Sequence, residues 1–249
     1  MRLKQTGLWL LMIVLLGLTG CFGSKDPNAN QAVCIYDGAS IREEANKDGK
    51  WLSSLSLGET GTFEGKAVAD PKDPKTEYIK VKLSDGTKGY VNVYCVVLGA
   101  YVGVIQEPAK IYKRPDLLSE SSKKYDTMDI VAVEEESGDW VRVTGEGRAK
   151  SGWVEKGMIR KTKEDIVTAV MLRKAIKAQK GEMTQEEMEK TVATLAYPNS
   201  YFALKMLEKY TPATVDEYVD GEAETTPDET PSEGDVNAAD SADSSETGD

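Results

Sequence analysis

The segments EYIKVKLSDGTKGYVNVYCVV (77–97) and DWVRVTGEGRAKSGWVEKGMI (139–159) carry one pattern of side chains in one order. Tyr78-Ile79-Lys80-Val81 lines up with Trp140-Val141-Arg142-Val143, and each alternates as a half-buried strand does. A polar, glycine-containing turn follows in both, Ser84-Asp85-Gly86 and Gly145-Glu146-Gly147. Gly89-Tyr90-Val91 and Gly152-Trp153-Val154 open a second strand, and short apolar strands are expected at 94–98 and 158–159. Upstream, Ala39-Ser40-Ile41-Arg42 parallels Ala109-Lys110-Ile111-Tyr112. Polar loops come next (43–49 and 113–122), then strands at 59–64 and 129–134. The offset runs from 62 residues (Ile79 to Val141) to 70 (Ala39 to Ala109). That is longer than a solenoid period and suits a small module present twice. The copies span 32–99 and 100–161, and the first carries an extra loop of prolines and charges, ADPKDPKTE (69–77).

The ordered set "SIRE", "YIKV", "GYV" in the first copy and "KIYKR", "WVRV", "GWV" in the second resembles bacterial SH3 (SH3b) domains. The resemblance implies a mainly β chain with two small SH3-like β-barrels, over about 130 of the 249 residues. In such barrels the first and last strands are neighbours. Cys34 lies in the first strand of copy one and Cys95 in its last, so the resemblance implies a Cys34–Cys95 disulfide, the alternative being two buried free thiols. Barrels of this kind present aromatic side chains to extended ligands. The candidates are Tyr36, Trp51, Tyr90, Tyr112 and Trp153, with Tyr112 favoured because it follows Ile111 on the opposite face at a loop mouth. For each aromatic the competing expectation is that it covers the barrel core.

The N-terminus reads as a targeting segment. Arg2 and Lys4 precede an uncharged, mostly apolar run at 8–18, 11 residues long. A membrane span needs ~20, whereas this length suits a signal h-region. Leu18-Thr19-Gly20-Cys21 resembles the lipobox of bacterial lipoproteins. The resemblance implies removal of residues 1–20 and acylation of Cys21, leaving 21–31 as a tether to the membrane. The alternative is an ordinary cleaved signal with a chance cysteine. Either way the chain is placed outside the cytoplasm, where disulfides persist.

From 162 the period changes to that of helices. Thr162 and Thr184 stand as caps three residues before Asp165 and Glu187. Ile166, Val167, Val170, Met171, Ala175 and Ile176 form the expected apolar face of the first helix. Met188, Val192 and Leu195 mark the second, and Phe202, Leu204, Met206 and Leu207 the third. A further turn is placed near 214–219, closing a helical segment at 162–219 that is either a small domain or a cover on the second barrel.

The chain has 31 basic and 42 acidic residues, a net charge of −11. Eleven acids and no Lys or Arg lie in 220–249, so the rest is near neutral and the tail is expected to be disordered. No basic patch argues for nucleic acid. Histidine is absent, and no P-loop, nucleophile elbow or zinc-protease motif occurs, so neither catalysis nor a cofactor or metal is expected. What remains is binding. One reading is a lipid-anchored envelope protein gripping peptidoglycan or an envelope protein. The others are a structural lipoprotein of an envelope complex and a surface lipoprotein meeting host components.

Overall fold

The computed structural model describes residues 27–179 and 181–211. The signal segment, Cys21, the acidic tail and the turn expected near 214–219 lie outside the described residues. Seven strands come first: β1 (Gln31–Cys34), β2 (Ala39–Arg42), β3 (Trp51–Leu55), β4 (Thr60–Asp70), β5 (Asp73–Lys82), β6 (Lys88–Asn92) and β7 (Val96–Leu98). Seven more follow: β8 (Tyr101–Ile105), β9 (Ala109–Tyr112), β10 (Glu120–Tyr125), β11 (Ile130–Ser137), β12 (Trp140–Gly145), β13 (Ser151–Glu155) and β14 (Ile159–Arg160). Three helices close the described chain, α1 (Lys163–Ala178), α2 (Gln185–Ala193) and α3 (Tyr201–Tyr210). Among the described residues no helix is long and apolar enough to cross a membrane.

The strands form two seven-stranded antiparallel sheets, ordered β3-β2-β6-β5-β4-β1-β7 and β10-β9-β13-β12-β11-β8-β14. The orders are identical once each strand is matched to its counterpart in the other copy, so the sequence repeat is also a repeat of topology. The Gly of "GYV" and "GWV" has a physical reason at both places. A Cβ on Gly89 would meet Ile41 Cγ2 at 2.6 Å and the Arg42 carbonyl at 2.7 Å. One on Gly152 would meet Ile111 Cγ2 at 2.5 Å and the Tyr112 carbonyl at 2.7 Å. Strands β2 and β9 cross so closely that only glycine fits beneath them.

Each sheet encloses its own apolar cluster. In the first, Ile41, Leu55, Ile79, Val81 and Val91 are buried. In the second, Ile111, Tyr125, Val141, Val143 and Val154 occupy the matching places. A third cluster lies between the copies. Val33, Ile35, Leu57 and Val97 from the first sheet meet Val102, Val104, Met128, Ile130 and Ala132 from the second, and Ala169, Leu172, Met188, Val192, Phe202 and Met206 from the helices. The helical segment is therefore neither a separate domain nor a cover on one sheet. It caps the junction of both.

Polar contacts lock the junction. The turn after β12 reaches back to the first sheet, where Gly147 N donates to the Ile35 carbonyl at 2.8 Å. Arg148 donates to the carbonyls of Val96 at 2.7 Å and Tyr94 at 3.0 Å. Among the described residues only Met128 and Arg148 are non-glycine residues with a left-handed backbone, at φ 68° and 57°. Both sit at this junction, where the contacts they make offset a local strain of about 1–2 kcal/mol each.

Several boundaries differ from expectation. The segment 69–77 is not a loop. Strands β4 and β5 pair through Asp70 and Asp73, making a long exposed ribbon. Cys95 lies in a 3-10 turn (Val93–Cys95) rather than in the last strand. In α1 the buried side chains are Asp165, Thr168, Ala169 and Leu172, while Met171 is exposed. Leu204 of α3 is exposed as well, whereas Met188 is buried as expected and Met183 joins it in the core.

Asp165 is 2 % exposed and ties three elements together. Its carboxylate accepts from Arg160 Nε at 2.6 Å, Thr162 Oγ1 at 2.6 Å and Tyr201 N at 3.0 Å. Burial alone would raise its pKa. The hydrogen bonds from Thr162 and Arg160 outweigh burial and hold it below the ordinary value of 3.8. Because the folded value is depressed, this stabilisation is present in full above the unfolded pKa and is lost as pH falls through the folded one. Stability is expected to decline below about pH 4, and Asp165→Asn to flatten that slope in denaturant titrations across pH 2–6. Leu172→Ala is expected to cost about 2–5 kcal/mol. In calorimetry both sheets should still unfold together in one transition at lower temperature; two separate transitions in the unsubstituted chain would refute a shared junction.

Candidate functional site

In paired antiparallel strands, directly opposite residues project from the same face. On the first sheet this alignment makes a row, Trp51–Arg42–Tyr90–Lys80–Glu64. On the second the matching row is Glu120–Tyr112–Trp153–Arg142–Glu135. From the third position on, both read aromatic, basic, acidic. The rows turn away from the sheet interiors, because Ile41, Ile79, Val91, Ile111, Val141 and Val154 alternate with them and point inward.

Three of the five expected aromatics gather around Arg42. Trp51 and Tyr90 are its cross-strand neighbours. Tyr36 lines a cavity of about 310 Å³ together with Arg42, Tyr78, Asn92 and Cys95. Arg42 itself is held by a hydrogen bond from Nη1 to the Gly49 carbonyl at 2.7 Å, which also closes the loop at 43–50. Trp51 is 58 % exposed, while Tyr90 and Tyr36 are half-buried. Tyr36 packs against Tyr94 with ring centroids 5.6 Å apart, and the Arg148 guanidinium lies 5.6 Å from the Tyr94 ring. A stacking surface flanked by cations results.

The other two aromatics are direct partners, Trp153 opposite Tyr112. Trp153 is half-buried and available. Tyr112 is not. It is 6 % exposed and packs edge-on against Trp140 at 4.9 Å. The favoured site residue of the sequence analysis is thus a support for the second row rather than a surface contact. Its position at a loop mouth did not leave it open, because Trp140 folds over it. Trp140 and Arg42 were missed as site residues. The signal for Trp140 was present: it stands two residues before Arg142 and so shares its face.

The cysteines do not form the expected bridge. Both are free thiols, Cys34 buried and Cys95 half-buried. Strands β1 and β7 are neighbours, but the register partner of Cys34 is Val96, not Cys95. Cys34 occupies the position that Ile105 holds in the second sheet, facing Ile159. It serves as a small core hydrophobe whose Sγ donates to the Tyr36 carbonyl at 2.8 Å. Burial pushes its pKa up to about 12, the opposite of what a nucleophilic thiolate needs.

A cavity of about 1100 Å³ opens between the two sheets and the start of α1. Glu59, Glu134, Glu135 and Glu136 line it with Lys161 and Lys163. Several of these carboxylates already have partners. Glu136 accepts from Tyr101 Oη at 2.6 Å and pairs with Lys156, and Glu59 accepts from Ser56 N at 2.9 Å. Among the described residues no cluster of three or more acidic or Cys ligands could hold a metal.

No family model matches the chain, and no curated protein matches it. Among solved structures, one described as the structure of NlpC2 from Trichomonas vaginalis aligns with 66 % of this chain, at 10 % identity and a TM-score of 0.24. The chain spans 55 % of that structure's length. A score that low carries no inference about fold or activity.

Tyr112 and Trp51 should respond oppositely to truncation. Tyr112→Ala is expected to lower stability by about 3–5 kcal/mol, and Trp51→Ala by less than about 0.5 kcal/mol, in urea unfolding. Equal losses would remove the distinction between support and surface.

Proposed function

We propose that this chain is a non-catalytic, lipid-anchored envelope protein. Its two sheets are SH3-like barrels, and it binds an extended ligand along their outer faces. The observation that carries this reading is the row of aromatic, basic and acidic side chains repeated on matching strands of both sheets. Aromatic faces stack on apolar or sugar rings, and Arg42, Lys80 and Arg142 supply cations for carboxylates. Cell-wall peptide and its attached glycan carry both kinds of group. Trp51, Tyr90 and Tyr36 form the contact surface of the first barrel and Trp153 that of the second. Acylation of Cys21 holds the chain at the membrane.

Purified peptidoglycan tests the binding. The chain is expected to be retained at low salt, and Trp51→Ala to weaken retention by about tenfold or more, since a buried aromatic anchor contributes that much to an interface. No retention of the unsubstituted chain would exclude the wall as ligand. Fatty-acid labelling in the native host, lost in Cys21→Ser, tests the anchor separately.

A further inference from the structure

The hairpin of β9 and β10 carries a feature that the first copy lacks. At its tip a 3-10 turn (Leu117–Ser119) presents two adjacent leucines, Leu117 at 67 % and Leu118 at 96 % exposure. A side chain that open touches almost nothing of its own chain and projects from the surface. The tip is nevertheless braced. Asp116 accepts from Leu118 N at 3.0 Å and pairs with Arg114 Nε at 3.2 Å. The Ser119 hydroxyl, itself buried, accepts from Arg114 N at 3.0 Å and donates to the Arg114 carbonyl at 3.0 Å. The leucines are thus held outward by design of the turn and not by slack in it.

The surrounding charge differs from that of the matching hairpin in the first copy. Residues 110–124 contain Lys110, Lys113, Arg114, Lys123 and Lys124 against Asp116 and Glu120, a net of +3. Lys110 and Lys124 are register partners, directly opposite across the hairpin. Like charges so placed repel unless an anion lies near. Glu120 relieves Lys110 at 3.0 Å, but among the described residues Lys113 and Lys124 have no ion-pair partner. The corresponding hairpin of the first copy is an internal control. Residues 40–54 hold three basic and three acidic side chains, and the loop 43–50 has no leucine. The fold therefore does not require the apolar tip.

We propose that this hairpin tip is a membrane-docking element, in which Leu117 and Leu118 enter the interface of a bilayer and the lysines around them meet anionic headgroups. Two leucine side chains offer on the order of 200 Å² of apolar surface. A specific protein interface needs about 800 Å² per partner, so the tip is too small to be one. Insertion into a bilayer needs no matching surface, and apolar burial adds to headgroup attraction there. The proposal does not depend on acylation of Cys21.

The test uses the chain from residue 21 to its end with Cys21→Ser, which keeps every described residue and excludes both the apolar leader and any acyl chain. Binding is measured by sedimentation with vesicles of phosphatidylcholine containing about one third phosphatidylglycerol, and with phosphatidylcholine alone. The expected result is binding to the anionic vesicles, weakened about tenfold or more by the paired change Leu117→Ser and Leu118→Ser, and weakened about fivefold by Lys113→Gln. Both leucines are solvent-exposed, so thermal stability should not move. Absence of vesicle binding overturns the proposal, as does binding that ignores the leucines. Leucine-dependent self-association in light scattering overturns it too, by making a second copy the occupant. Peptidoglycan retention in the same leucine variant should be unchanged, which separates failure here from failure of the wall-binding reading.

Discussion

The apolar cluster between the two sheets is what the remaining structure depends on. A module of some 65 residues buries a modest interior and is marginal alone. Here Ile35, Val97, Val104 and Ile130 leave their own sheets' interiors and meet Leu172, Met188 and Phe202 from the helices. The helices complete a core that neither sheet could close by itself. The left-handed backbones at Met128 and Arg148 are tolerated because their side chains are spent on this junction, one in its core and one on the carbonyls of the first sheet. The shared cluster and these hydrogen bonds tie the two sheets to each other and to the helices.

The two copies share what the strand order demands and differ where the surface is free. Gly89 and Gly152 answer the same close crossing, and Leu55 and Tyr125 fill the same place opposite Ala39 and Ala109. Divergence is concentrated at the edges. The first copy extends β4 and β5 into an exposed ribbon, whereas the second turns compactly at Gly138. The turn 146–150, between β12 and β13, is the clamp that docks onto the other sheet. The hairpin tip is polar in one copy and carries two leucines in the other. The strand order is the same in both copies, and the loops are where they differ.

Much of this was legible in the sequence, because strand periodicity is local. Alternation at Tyr78-Ile79-Lys80-Val81 and at Trp140-Val141-Arg142-Val143 fixes which side chains share a face, whatever the sheet packs against. The alternation of the strands and the threonine caps of α1 and α2 follow from neighbours a few residues away, whereas the close packing at Gly89 and Gly152 is set by strands β2 and β9, some forty residues distant. Only the tertiary structure decided which face is covered and by what. Tyr112 is buried because Trp140 folds over it, and Cys34 is a core thiol because its register partner is Val96. Leu172 is buried instead of Met171 because α1 lies against two sheets and two other helices at once. Those outcomes depend on partners more than twenty residues distant in the chain or on a one-residue register. A pattern of apolar and polar residues states that a surface wants covering, and the arrival of the covering element is a property of the whole fold.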